Sequence, residues 1–403
     1  MTDSIPLRRQ RPFALFWSSR VLGSLAFQMA SVAIGWLIYD LTGSAYQLGL
    51  AGLCQFLPMV PLTFVVGPVA DRFDRRRIVI VTQALQAATL ALVTLSAEQG
   101  WLSVHVVFLA LILLGSARSF ERPAMSALLP ALVPPGDLPR AVAVSSSAMQ
   151  TAVIIGPSLG GLLYAFGAGL TLGLAAALFV AGGAAMTAIR FRHQAASAGK
   201  VTMQMVFSGV SFIRSRPVIL GSISLDLFAV LLGGVTALLP IFARDILETG
   251  PWGLGLLRSA PAAGALVMAA AISRLNLERR VGAKMFGAVI VFGLTTVVFS
   301  ASQNLWLSVF SLFVLGAADN VSVVIRQTLV QLSTPDDMRG RVSAVNSLFI
   351  GASNQLGEFE SGMTAGLMGV VPAGILGGVG TILVALAWMR LFPALRRAEG
   401  LSG

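Results

Sequence analysis

Along this chain, runs of about twenty apolar residues recur between short polar segments, and the basic residues gather in every second one of those segments. No other feature constrains the fold as strongly. About 20 apolar residues span a bilayer as a helix, and inside a bilayer only helices and closed barrels satisfy their backbone hydrogen bonds. The runs are continuous rather than alternating, so they read as helices. Composition agrees, with 56% of residues apolar and 11% charged, against about 45–50% and 25% in soluble domains. Such hydrophobicity excludes a disordered chain, and a single cysteine, Cys54, excludes a disulfide scaffold.

The runs predict twelve transmembrane helices, near residues 13–39, 46–69, 78–97, 102–120, 141–165, 170–189, 217–242, 253–273, 285–301, 305–325, 342–363 and 371–392. The first lacks a small-residue cleavage site behind it and reads as a span rather than a leader. The net charge of +11 would suit nucleic acid, but 24 of the 28 Lys and Arg residues fall in the termini or in alternate connections. Arg122 and Arg326 are counted among them. The other connections hold Asp40, Glu98, Asp245 and Glu248 with one basic residue, Arg244. Basic connections stay cytoplasmic, so both termini are expected inside, with the basic surplus touching anionic lipid rather than nucleic acid. The six tryptophans all fall near a predicted membrane interface, as aromatic belts do.

The longest connection, 190–216, divides the chain into two six-span bundles, 1–189 and 217–403. It opens small and polar (Gln194 to Lys200) and turns amphipathic, with Val201, Met205, Val206, Val210 and Ile213 against Arg214 and Arg216. A helix on the inner membrane surface is expected there, the alternative being a loose linker. A shift of 201 residues superposes Gly115 on Gly316, Pro134 on Pro335, Arg140 on Arg341, Gly156 on Gly357 and Gly161 on Gly362 without a gap. The repeat covers the fourth span, a Pro-bearing loop and the fifth span, matched to the tenth and eleventh, and repeats in a polytopic chain point to a transporter with its substrate site between the halves.

Between the second and third runs stands Gly67-Pro-Val-Ala-Asp71-Arg72-Phe-Asp74-Arg75-Arg76. Its spacing resembles the hallmark loop of the major facilitator superfamily. The resemblance implies an all-α membrane fold of two pseudo-symmetric six-helix bundles, and a cytoplasmic gate in which Gly67 allows close helix approach. Asp71 would sit at a helix N-terminus, and Arg72, Arg75 and Arg76 would pair with nearby acids. The second-half counterpart, from Ser273 to Arg280, lacks the acid. Gly156-Pro157-Ser-Leu-Gly160-Gly161 looks like the tail of the helix-five motif of exporters in that superfamily, although its earlier glycines read here as Ala143 and Ala152. Ordinary glycine packing is the alternative. The run from Thr334 to Ser343, followed by Asn354 to Gly362, is similar to the enterobactin-exporter-like and macrolide-efflux-like branch. That implies export of a bulky organic molecule driven by proton entry, in a bacterial-type cytoplasmic (inner) membrane.

Charges within spans are expensive and usually functional. Here they are Arg20, Arg118, Glu121, Asp226, Arg258, Asp319, Glu358 and Glu360. The resemblance places spans one, four, seven and ten around a central cavity, so Arg20, Arg118, Asp226 and Asp319, with Glu358 and Glu360, are the candidate substrate and proton site. The 201-residue shift sets Arg118 opposite Asp319. Asp226 or Asp319 is expected to carry the coupling proton, with Arg20 or Arg118 facing it. Glu121 is expected to partner the loop arginines. Two histidines and one cysteine offer no metal-ligand cluster, nucleophile–base set or phosphate loop. A non-enzymatic monomer without cofactor or metal, moving a small molecule and protons, is the reading. The alternatives are a lysolipid or sugar carrier and a transport-inactive receptor.

Overall fold

The computed structural model describes residues 10–189, 203–272 and 280–400, which contain helices and turns and no strand. The helices are α1 (Arg11–Thr42), α2 (Ala45–Phe56), α3 (Met59–Arg72), α4 (Arg75–Glu98), α5 (Val104–Leu132), α6 (Leu138–Tyr164), α7 (Ala168–Thr187) and α8 (Met203–Ser215). They continue with α9 (Pro217–Leu232), α10 (Leu239–Ile241), α11 (Gly250–Ile272), α12 (Val281–Ala301), α13 (Leu305–Leu332), α14 (Asp336–Met368), α15 (Val370–Leu391) and α16 (Pro393–Arg396). Short 3-10 and π turns carry the α9 stretch on through α10 to Ile246. Start signals are local. Asp74 caps α4 by accepting from the Arg76 N–H at 2.8 Å, and Asn304 caps α13 by accepting from Trp306 and Leu307.

Eleven helical stretches among the described residues are long and apolar enough to cross a membrane. The predicted span absent from that set is 342–363. It lies in the 33-residue α14, whose apolar character is interrupted by Arg341, Asn354, Gln355, Glu358 and Glu360. Two spans run well past their predicted cytoplasmic-side ends. α5 runs on from 120 to Leu132 and α13 from 325 to Leu332. Arg122 and Arg326, counted above as connection residues, therefore stand on helices. Shifted by 201 residues, α5 falls on 305–333, within one residue of α13.

The chain forms two compact units, one of Met1–Thr42 with Cys54–Lys200 and one of Gly43–Leu53 with Val201–Gly403. The expected boundary at 190–216 thus separates most of each unit, but the start of α2 belongs with the second. The reason is a small-residue face. A Cβ on Gly49 would stand 2.9 Å from the Gly362 Cα on α14 and 3.0 Å from the Phe359 carbonyl oxygen. Tyr46 adds an edge contact to Phe359, with ring centroids 6.2 Å apart.

In the first unit α1 packs on α6 and α7, and α4 on α5 and α7, around Phe13, Phe16, Val79, Met125 and Leu128. In the second, α11 and α12 flank α13, and α12 packs on α15, around Leu225, Met285, Phe286, Ile325 and Leu329. Lipid is as apolar as leucine, so close packing rather than water exclusion holds such helices together. On α11 and α13 this is literal. A Cβ on Gly264 would enter the Phe313 carbonyl, and one on Gly316 the Pro261 carbonyl. The expected amphipathic helix is α8. Its Ile213 is buried with Ile219, Val330, Val342 and Val345, while its Phe207 is exposed. The polar start of that connection (Gln194–Lys200), the side chains of Val201, Met205 and Val206, and residues 273–279 of the second-half loop lie outside the described residues.

Candidate functional site

Among the described residues, each unit holds a buried cluster of hydrogen-bonded or ion-paired polar side chains. In the first, α4 carries Gln83 and Gln86 three residues apart, hence on one face, and both are fully buried. They reach Glu121 on α5. Gln83 Nε2 donates to Glu121 Oε1 at 3.0 Å and Gln86 Nε2 to Oε2 at 2.8 Å. Ser19 on α1 donates to Gln83 Oε1 at 3.3 Å. The fit needs glycine, because a Cβ on Gly23 would approach the Gln83 amide to 3.0 Å and Glu121 to 3.5 Å. Beside this network a cavity of about 200 Å³ is lined by Arg20, Ser24, Arg118, Glu121, Arg122 and Met149, among others. The Arg118 guanidinium lies 3.5 Å over the Phe27 ring, and its Nε is buried without a hydrogen-bond partner.

In the second unit Asp226 on α9 meets Arg326 on α13, with Oδ2 and Nη2 3.1 Å apart and both residues buried. Arg326 also donates to Asn346 Oδ1 on α14 at 3.3 Å. Asp319 stands seven residues before Arg326, two turns along the same face of α13, within electrostatic reach of both Asp226 and Arg326. Two carboxylates thus stand near one guanidinium, which pairs with Asp226. On another side of this unit Arg258 on α11 and Glu358 on α14 interact electrostatically, and Glu358 presses on α2 at Gly52. Glu360 accepts from Thr364 of its own helix at 2.9 Å.

These placements revise several expectations. The partner of Asp226 is Arg326, not Arg20 or Arg118. The hydrogen-bond partners of Glu121 are two glutamines, not the loop arginines. Arg75 donates to the Ala127 carbonyl at 3.2 Å, while Arg76 donates to the Ile189 carbonyl and pairs with Asp74 at 3.8 Å. Beyond its chain neighbours and its own helix backbone, a Cβ built on Gly67 would meet no described atom within 4 Å, so the described residues show no close helix approach there. The side chain of Asp71 is outside the described residues. Gly156 and Gly160 do pack tightly. Their Cβ atoms would stand 2.6 Å from Gln28 Cβ and 2.8 Å from the Met29 Cα of α1, and Pro157 and Gly161 are buried beside them. Sequence reasoning missed Arg326, Gln83, Gln86 and Asn346. The seven-residue spacing from Asp319 to Arg326, and the paired glutamines inside an apolar run, were the available signals.

A profile of the family described as transmembrane secretion effector, a branch of the major facilitator superfamily, matches residues 2–401. The chain is a major facilitator superfamily protein. It is 28% identical to the multidrug efflux pump Tap of Mycobacterium tuberculosis, over 96% of this chain and 95% of that one. It is 25% identical to the enterobactin exporter EntS of Citrobacter koseri, over 97% and 94%. The fold matches the crystal structure of the nucleoside transporter NupG with a TM-score of 0.72, over 96% of this chain and all of that one, at 13% identity. This major facilitator protein is therefore an integral membrane transporter, and the relatives compared are transporters of small molecules rather than enzymes. Its fold class agrees with the reading of the sequence.

Proposed function

We propose that this transporter exports a bulky organic compound from the cytoplasm in exchange for protons, by alternating access, as a monomer in a bacterial-type inner membrane with both termini inside. Export is supported by the relatives, which are named as efflux pumps and exporters. Proton coupling rests on one observation, the two-acid, one-base cluster of the second unit. Arg326 is committed to Asp226 at 3.1 Å and to Asn346, which leaves Asp319 as the surplus carboxylate. A lone charge in apolar surroundings is costly, and a proton is the smallest partner that removes it. Asp319 accordingly takes up a proton when its surroundings close and releases it when they open to water, while the Asp226–Arg326 pair holds the α9 stretch against α13.

The test is transport in proteoliposomes. Asp319→Asn is expected to lose uphill, pH-driven export while keeping downhill exchange and its thermal midpoint in detergent. Uphill export at the wild-type rate from that variant, at equal reconstitution, would remove Asp319 from the coupling step.

A further inference from the structure

The cavity beside the Glu121 network carries a surplus of positive charge. Three guanidiniums line it, those of Arg20, Arg118 and Arg122, with one carboxylate, Glu121. Both oxygens of that carboxylate are held by the amides of Gln83 and Gln86, and no arginine of the cavity comes within 4 Å of it as an ion pair. The acid is tethered on the α4 side by neutral donors and acts on Arg118 and Arg122 without an ion-pair contact, so among the described lining residues three guanidiniums stand against one carboxylate.

Arg118 is the best prepared of the three. Its guanidinium stacks at 3.5 Å on Phe27, which uses the face of the group and leaves the edge N–H donors available. Its buried Nε has no acceptor among the described residues, and a buried donor of this kind ordinarily has one. A planar guanidinium held by its face presents the fork that carboxylates bind through two parallel hydrogen bonds. Met125 and Met149 supply adaptable apolar wall. Arg20 and Arg118 are half-buried and Arg122 is exposed.

We propose that this cavity binds the anionic group of the exported compound, and that the substrate is an organic acid with an apolar body rather than a cation. The proposal rests on the export reading above and narrows it. It also separates this transporter from any pump whose substrates are cationic drugs.

The experiment uses the full chain in detergent with three probes sharing a bicyclic ring: 2-naphthoate, 2-naphthamide and 2-naphthylmethylammonium. Binding is read as the rise in unfolding temperature with ligand concentration, which follows occupancy of the folded state. The carboxylate is expected to bind more tightly than the amide by about tenfold or more, the scale of a charge-assisted hydrogen bond, and the ammonium not to bind. In Arg118→Gln/Arg122→Gln the advantage of the carboxylate over the amide should vanish. Arg118→Lys, which keeps charge but loses the fork, should fall between. Equal binding of carboxylate and ammonium to the wild type overturns the proposal, even if every variant fails to fold. So does an undiminished carboxylate preference in the double glutamine variant. Repeating the titration in nanodiscs of zwitterionic and of anionic lipid tests the other source of anions. Loss of naphthoate binding in anionic lipid alone would give the site to a lipid headgroup and overturn the substrate assignment. No gradient is applied, so the outcome is independent of whether Asp319→Asn loses uphill export.

Discussion

At the scale of single residues, the two polar clusters obey different electrostatics. Glu121 is satisfied by neutral amides, whereas Asp226 and Arg326 neutralise each other. A buried ion pair contributes little over an apolar pair of the same size, but removing one partner strands the other and costs about 3–5 kcal/mol. Asp226→Leu or Arg326→Leu alone is therefore expected to lower the unfolding temperature in detergent sharply. The double variant should be more stable than either single one, so the double-mutant cycle should return a coupling energy at least as large as one single loss, about 3–5 kcal/mol. Additive losses would mean that the two side chains do not act as a pair. Asn346 is the third partner, and its bond to Arg326 at 3.3 Å ties α14 to the same charge. Loss of either member is thus felt on three helices.

At the scale of elements, glycines set how near the helices approach. Gly316 lets α13 lie against the Pro261 carbonyl of α11. Gly316→Val should push the two apart and cost about 1–3 kcal/mol, read as a lower unfolding temperature; an unchanged midpoint would show that α11 and α13 separate freely. The loop between α3 and α4 invites a different test. Asp71→Asn should cut export strongly at normal expression if Asp71 stabilises one transport state only. Full export at matched expression would make the loop a topology signal and no more. Helix positions were largely legible in the sequence, because span length is set by bilayer thickness and the 201-residue repeat carries α5 onto α13. The cluster on α13 was not. Arg326 lies near the end of a span, where a basic residue looks like an orienting charge, and only a helix running on to Leu332 turns it inward. Gln83 and Gln86 escaped because uncharged amides cost less in an apolar run than charges do, so they attract less notice although both are fully buried. The polarity of α14 was visible, yet the span count took no account of it.

At the scale of the whole molecule, the charge asymmetry makes an orientation testable. In a Cys54→Ala background, Gln303→Cys, exposed between α12 and α13, should react with an impermeant maleimide added to intact cells. Gly136→Cys, exposed before α6, should react only after the cells are opened. The reverse pattern would invert the proposed topology. The spacing of the ion pair also has a meaning in time. Glu121 enters the membrane after both of its glutamines have been made, so its partners are waiting for it. Asp226 is made a hundred residues before Arg326. At about 5–20 residues per second, the ribosome needs about 5–20 s to deliver the arginine. Through that interval α9 is a newly inserted helix carrying an unanswered acid, and a chain arrested before α13 should be the form that membrane quality control removes first.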